Sequence, residues 1–178
     1  MTFLLKLMSK LILVPLILLL SVKTFAADNV TINITGRVAA SSCNIDNSGT
    51  YNINLGQKIP SVKLINANSY TDWIPFNFTL SKCPTGTSSV TATFSGNADS
   101  SDSTIYANAT GDEYAKNVAV QLQNAETGSN LGDKTTMNIK VASDKSVNFP
   151  LRARVYSTQG KATSGNISTT VLINLTYN

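Results

Sequence analysis

The chain has 178 residues, 42% of them hydrophobic and 13% charged, with two cysteines and no histidine. Without histidine there is no Ser-His-Asp or Cys-His nucleophilic machinery and no histidine-ligated metal. The formal charge of +4 shrinks once Lys6, Lys10 and Lys23 are set aside with an N-terminal leader, because eleven basic residues then face ten acidic ones; that balance gives no support for nucleic-acid binding.

Residues 1–26 read as a secretory signal peptide. Lys6 and Lys10 supply positive charge, Leu11 to Leu20 form an apolar run broken by Pro15, and Thr24-Phe25-Ala26 ends on a small residue. The run is short for a membrane span, so an exported chain starting at Ala27 is expected. The 152 residues from Ala27 onward suffice for one domain with a real core.

Residues 27–38 come next as an extension ahead of a domain at 39–178. Val30, Ile32, Ile34, Gly36 and Val38 fall on one face of a period-two pattern, and Thr31, Asn33, Thr35 and Arg37 on the other. Such alternation predicts a strand buried on one side only. It precedes the first cysteine and looks added on to the domain.

Alternation recurs along the rest of the chain. It runs through Tyr51, Ile53 and Leu55, then Ile74, Phe76, Phe78 and Leu80, then Val90, Ala92 and Phe94. Further on it takes in Val118, Val120 and Leu122, then Met137, Ile139 and Val141, then Phe149, Leu151, Ala153 and Val155. Gly, Asn, Asp and Ser clusters separate these runs as turn signals, so an all-β sandwich is predicted. Pro75 and Pro150 lack a backbone donor and belong near a strand start, an edge or a bulge. Asn97 to Glu113 reads as loop. Ile167, Thr169, Val171, Ile173, Leu175 and Tyr177 predict the longest strand, running to Asn178, and it needs a partner on its free side.

Cys43 and Cys83 form an even pair in an exported chain, which suggests one disulfide, with two buried thiols as the alternative. Closing a loop of that length contributes about 4 kcal/mol in the chain-entropy model. Asp112-Glu113 is the only adjacent carboxylate pair and reads as solvated loop. The run Asn97 to Asp102 lacks the spacing of a calcium loop, and no glycine-rich phosphate cradle occurs. Asn-x-Ser/Thr triplets at Asn29, Asn33, Asn77, Asn108, Asn166 and Asn174 are what so Asn-, Ser- and Thr-rich a chain produces by chance. Neither an enzyme nor a metal or cofactor is expected.

The mature start Ala27-Asp28-Asn29-Val30-Thr31-Ile32 through Gly36-Arg37-Val38 resembles the chaperone–usher pilins of Gram-negative bacteria, and among them the minor tip subunits of type 1 fimbriae. So do Lys82-Cys83-Pro84-Thr85-Gly86-Thr87-Ser88 leading into Val90 to Gly96, and Phe149-Pro150-Leu151 with Arg154. A glycine at the fourteenth position from the end with a penultimate tyrosine is telling in that family, and Gly165 and Tyr177 fit it. The resemblance covers essentially the whole mature chain.

It implies an immunoglobulin-like sandwich lacking its last strand, whose hydrophobic groove lies beside Gly165, Ile167, Val171, Ile173, Leu175, Tyr177 and Asn178. A periplasmic chaperone fills that groove first. At an outer-membrane usher, the N-terminal extension of the next subunit then replaces the chaperone strand. Here Val30, Ile32, Ile34, Gly36 and Val38 would be the donor positions. The implied location is a fimbria on the cell surface, and the implied role is that of an adaptor pilin. A major shaft pilin is the alternative. A single-domain secreted lectin is another, with Trp73 or Tyr106 as its sugar platform, although Trp73 reads rather as the start of a buried strand.

Overall fold

The computed structural model describes residues 30–37 and 42–178. The predicted signal peptide and Val38 lie outside the described residues. The chain divides into two units, Met1–Arg37 and Val38–Asn178.

Among the described residues of the second unit there are nine strands: β1 (Asn44–Ile45), β2 (Ser69–Tyr70), β3 (Ile74–Ser81), β4 (Ser89–Gly96), β5 (Tyr106–Ala107), β6 (Ala119–Asn124), β7 (Thr136–Lys140), β8 (Val147–Ser157) and β9 (Val171–Tyr177). Two short 3-10 turns, Asp46–Gly49 and Ser61–Leu64, are the only helical pieces among the described residues. One sheet has the order β1-β3-β8-β6-β5, with β2 joining the end of β8; the other has the order β7-β4-β9. Every pairing between these strands is antiparallel, and an isolated bridge between Tyr114 and Asn166 is parallel.

β8 organises the larger sheet. Val147, Phe149, Leu151, Ala153, Val155 and Ser157 are all buried, alternating with more exposed residues, so one face of the strand carries the core. Phe149 stacks on Phe78 at 5.3 Å, and Tyr51 meets Phe78 edge-on at 5.5 Å. From the facing sheet Val90, Ala92 and Phe94 of β4 close the core at 0% exposure. Cys43 and Cys83 are joined by a disulfide with S–S 2.06 Å, tying the start of β1 to the loop after β3.

Both prolines sit where the ladder asks nothing of them. Pro150 turns its carbonyl to the Ala125 N–H (3.0 Å), past the register of β6, so its missing donor also faces that unladdered side. Pro75 is two residues from Asn77 and four from Thr79, whose N–H points away from β8 to the Tyr51 hydroxyl at 3.4 Å. Pro75 therefore turns its nitrogen to the open edge of β3.

Several segments differ from their sequence pattern. The longest strand is β8, with 11 residues, whereas β9 begins only at Val171, because its neighbour β4 ends opposite at Gly96. Asn97 to Glu113 is not all loop: it contains β5, and Ile105 and Tyr106 are at 0% exposure. Tyr106 donates its hydroxyl to the Leu131 carbonyl at 2.8 Å, which anchors the segment and removes Tyr106 as a sugar platform. Trp73 does not enter the core either; it lies against Arg152 and Arg154 on the outer face of β8. Tyr51 to Leu55 keeps its alternating burial but belongs to no strand, and neither do residues 30–37. Without a neighbour to pair with, an alternating segment forms no ladder.

Candidate functional site: an open groove beside the last strand

The core of the second unit is open along one side. On β9 and the segment before it, the core-facing residues Ile167, Thr169, Val171, Ile173, Leu175 and Tyr177 alternate with exposed ones, yet none is fully buried. β9 pairs with β4 on one edge, and its other edge has no partner among the described residues. Beside it runs a groove of about 800 Å³. Val120 and Leu122 of β6, Leu151 and Ala153 of β8 and Phe76 of β3 form its floor; Tyr51 to Gln57 form one rim, and Gly165 to Thr169 with Val171 and Ile173 form the other.

Leu175, Tyr177 and Asn178 continue the same strand beyond the groove lining. Tyr177 pairs with Val90, and burial pushes its hydroxyl pKa up. Asn178 donates its N–H to the Ser89 carbonyl at 3.0 Å and accepts from the Ser88 N–H at 2.6 Å. Of the seven residues expected to border the groove, Gly165, Ile167, Val171 and Ile173 line it, and the other three hold its strand onto β4.

Gly165 shapes one end of the groove. Its φ is +151°, and a β-carbon there would lie 2.8 Å from the Ala115 Cα and still closer to the adjoining peptide. The chain passes this close because Asn166 pairs with the 113–115 segment, donating to the Glu113 carbonyl (2.7 Å) and accepting from the Ala115 N–H (2.9 Å). The Asn108 side chain, only 9% exposed, ties the crossing together. Its Nδ2 donates to the carbonyls of Ala115 (2.9 Å) and Asn166 (3.0 Å), while its Oδ1 accepts from the Ser168 N–H (2.8 Å).

Sequence reasoning missed Asn108, which looked like a chance glycosylation triplet, and Tyr114, which closes the groove at that end. It also missed the opposite rim, although the alternation of Tyr51, Ile53 and Leu55 was the available signal. Among the described residues, no Asp, Glu, Lys or Arg lines the groove. Its chemistry is therefore an apolar floor between amide-rich rims, one of them an open strand edge. Such a site accepts an extended strand: backbone groups supply the ladder, and alternate side chains enter the floor.

The described residues of the extension have the complementary pattern. Val30, Ile32 and Ile34 are 84%, 77% and 90% exposed, and no atom lies within 4 Å of where a Gly36 β-carbon would be. Val38, the fifth position of the pattern, falls outside the described residues.

Residues 32–178 match the family described as Fimbrial protein. The chain belongs to that family. This pilin is 35% identical to Protein FimG of Escherichia coli (strain K12) over 162 residues, covering 90% of this chain and 92% of the relative. It is also 35% identical to the S-fimbrial adhesin protein SfaS of Escherichia coli O6:K15:H31 (strain 536 / UPEC), over 85% of this chain and 86% of that one. Among solved structures it is similar to the P pilus rod subunit PapA, with a TM-score of 0.61 at 21% identity, covering 76% of this chain and 99% of that one. The CupB6 tip adhesin from Pseudomonas aeruginosa matches with a TM-score of 0.65 at 18% identity; the match covers 78% of this pilin and 38% of the adhesin. Those structural likenesses establish the fold: the incomplete immunoglobulin-like sandwich of chaperone–usher pilins. As a fimbrial subunit, the pilin assembles with neighbouring pilins at the cell surface.

Proposed function

We propose that this pilin is a minor, adaptor-type subunit in or near the tip of an adhesive fimbria, assembled by donor-strand exchange. A periplasmic chaperone first occupies the groove beside Ile167 to Tyr177. At the outer-membrane usher, the extension of the next subunit takes its place, and Val30, Ile32, Ile34, Gly36 and Val38 of this chain enter the groove of another subunit. The observation that carries the reading is the half-buried, neutral groove along an open strand edge, in a chain whose extension exposes an alternating apolar row. Fully burying Val30, Ile32, Ile34 and Val38 is worth roughly 1.5–3 kcal/mol each, on the order of 6–12 kcal/mol together before entropy. The adaptor role rests on the resemblance of the sequence motifs to minor tip subunits.

Co-expression with a periplasmic chaperone of a chaperone–usher system tests the assembly route. Co-purification of the two proteins is expected; a pilin that folds stably alone and never binds the chaperone overturns it. Subunit counting in purified fimbriae tests the role: a few copies per filament fit an adaptor, and thousands mean a shaft subunit.

A further inference from the structure

The outer face of the larger sheet carries a cluster unrelated to the groove. Arg152, Arg154 and Tyr156 alternate with the core residues of β8 and so point away from the core. The Arg154 guanidinium lies 3.7 Å from the centre of the Tyr70 ring and 4.1 Å from that of Trp73, and Arg152 lies 4.4 Å from Trp73. Amides fix both guanidinium groups from the other side. Arg154 donates to Gln121 Oε1 at 2.7 Å, and Arg152 donates twice to Gln123 Oε1, at 3.1 and 2.7 Å. Both glutamines in turn donate to Asn130 Oδ1, at 2.9 and 2.8 Å.

Every one of these partners is neutral. Among the described residues the ion pairs are Lys63–Asp72 and Lys134–Asp133, so neither arginine has a carboxylate within reach. Burial is the main cause pulling the Arg154 pKa down, opposed by Tyr70 and Tyr156. Guanidinium groups that are partly stripped of water, held in one orientation and left without a counter-charge form an unfilled anion site. Tyr70 is 55% exposed although Arg154 covers one face of its ring, and with Tyr156, stacked at 6.3 Å, it adds aromatic surface beside the site.

We propose that this face binds a carboxylate-bearing sugar, with the acid group on the free edges of Arg152 and Arg154 and the sugar ring beside the stacked Tyr70–Tyr156 pair. A peptide carboxylate suits it less well, because peptides are held by a free strand edge or a groove. Here Arg152 is paired on both sides, to Pro75 and Gln123, which leaves a flat platform with fixed charges. A rigid acidic ring needs only those two features.

Trp73 is the only tryptophan of the chain, so its fluorescence reports on the site directly. The full exported pilin is titrated with glucuronate- and neuraminate-bearing oligosaccharides, with neutral chitotetraose and with tetraglutamate. Saturable binding of at least one acidic sugar is expected, weakening as salt rises, with none for chitotetraose. Arg154→Gln and Arg152→Gln are each expected to weaken it by about tenfold or more. Thermal unfolding checks that the variants fold; should Arg154→Gln fail to fold, Arg154→Lys keeps the charge, loses the fork and is expected to bind several-fold more weakly. No saturation with either acidic sugar, equal binding of chitotetraose or tetraglutamate, or unchanged affinity in the folded variants overturns the proposal. Because the face is separate from the groove, these outcomes leave the assembly route untouched.

Discussion

Asn108 Oδ1 accepts the Ser168 backbone N–H at 2.8 Å, linking two residues sixty positions apart in the chain. With the two carbonyls that Asn108 also contacts, this bond fixes the segment entering β9, and with it one end of the groove. Asn108→Ala leaves three backbone groups without that partner, so a loss of about 1–3 kcal/mol is expected. Asn108→Asp turns a carboxylate toward two carbonyl oxygens and is expected to cost more at neutral pH. Urea unfolding of the donor-complemented subunit measures both.

At Gly165, both the backbone conformation and the space beside it exclude a side chain. Gly165→Ala drives a β-carbon into the Tyr114–Ala115 peptide, and a destabilisation of about 2 kcal/mol or more is expected. The same substitution at Gly86, where nothing lies within 4 Å of the added carbon, meets only its own backbone strain. Comparing their urea midpoints separates crowding from strain.

Ile34 is 90% exposed, so Ile34→Asp is expected to change subunit stability by no more than about 0.5 kcal/mol. If the extension is a donor strand, the substitution buries a carboxylate in a neutral groove, and incorporation into fimbriae should fall by about tenfold or more. Quantitative blotting of purified fimbriae checks this. Normal incorporation of a folded Ile34→Asp subunit rules out that role for the residue.

Tyr106 couples stability to alkaline pH. Burial, reinforced by Asp133, raises its hydroxyl pKa above the ordinary value of 10.0. A raised folded-state pKa means that the unfolded chain loses its proton first. The stabilisation is therefore complete below about pH 10 and declines as pH rises further. Tyr106→Phe gives up the hydrogen bond to Leu131, at about 1 kcal/mol near neutrality, and should flatten the decline above pH 10. Denaturation curves between pH 8 and about 11 measure both effects.

Much of the sandwich was legible because alternation is a local property. The faces of β3, β4 and β8 follow directly from the periodicity of Phe78, Phe94 and Phe149, and the Cys43–Cys83 bridge from an even cysteine count in an exported chain. Periodicity says that a segment has an apolar side, but it does not say what covers that side. Tyr51, Ile53 and Leu55 therefore looked like one more strand and instead form a groove rim without a ladder. Trp73 does immediately precede β3, but periodicity does not say which way its own ring turns. The apolar run after it suggested a core position, whereas cation–π contact with Arg152 and Arg154 holds it on the outer face. Asn108 carried no signal, since its role depends on a contact with residues 166 and 168 that only the folded chain creates.

The uncharged groove has a kinetic consequence. Among the described residues its walls carry no Asp, Glu, Lys or Arg, so they exert little long-range pull, and on the proposed route strand capture is expected to be slow by the standard of steered associations and nearly indifferent to salt. A strand seated there as proposed would leave slowly, because leaving gives up its ladder and its apolar contacts together. A junction of this kind forms reluctantly and lasts, and the time it holds owes more to the cost of peeling than to the ease of meeting.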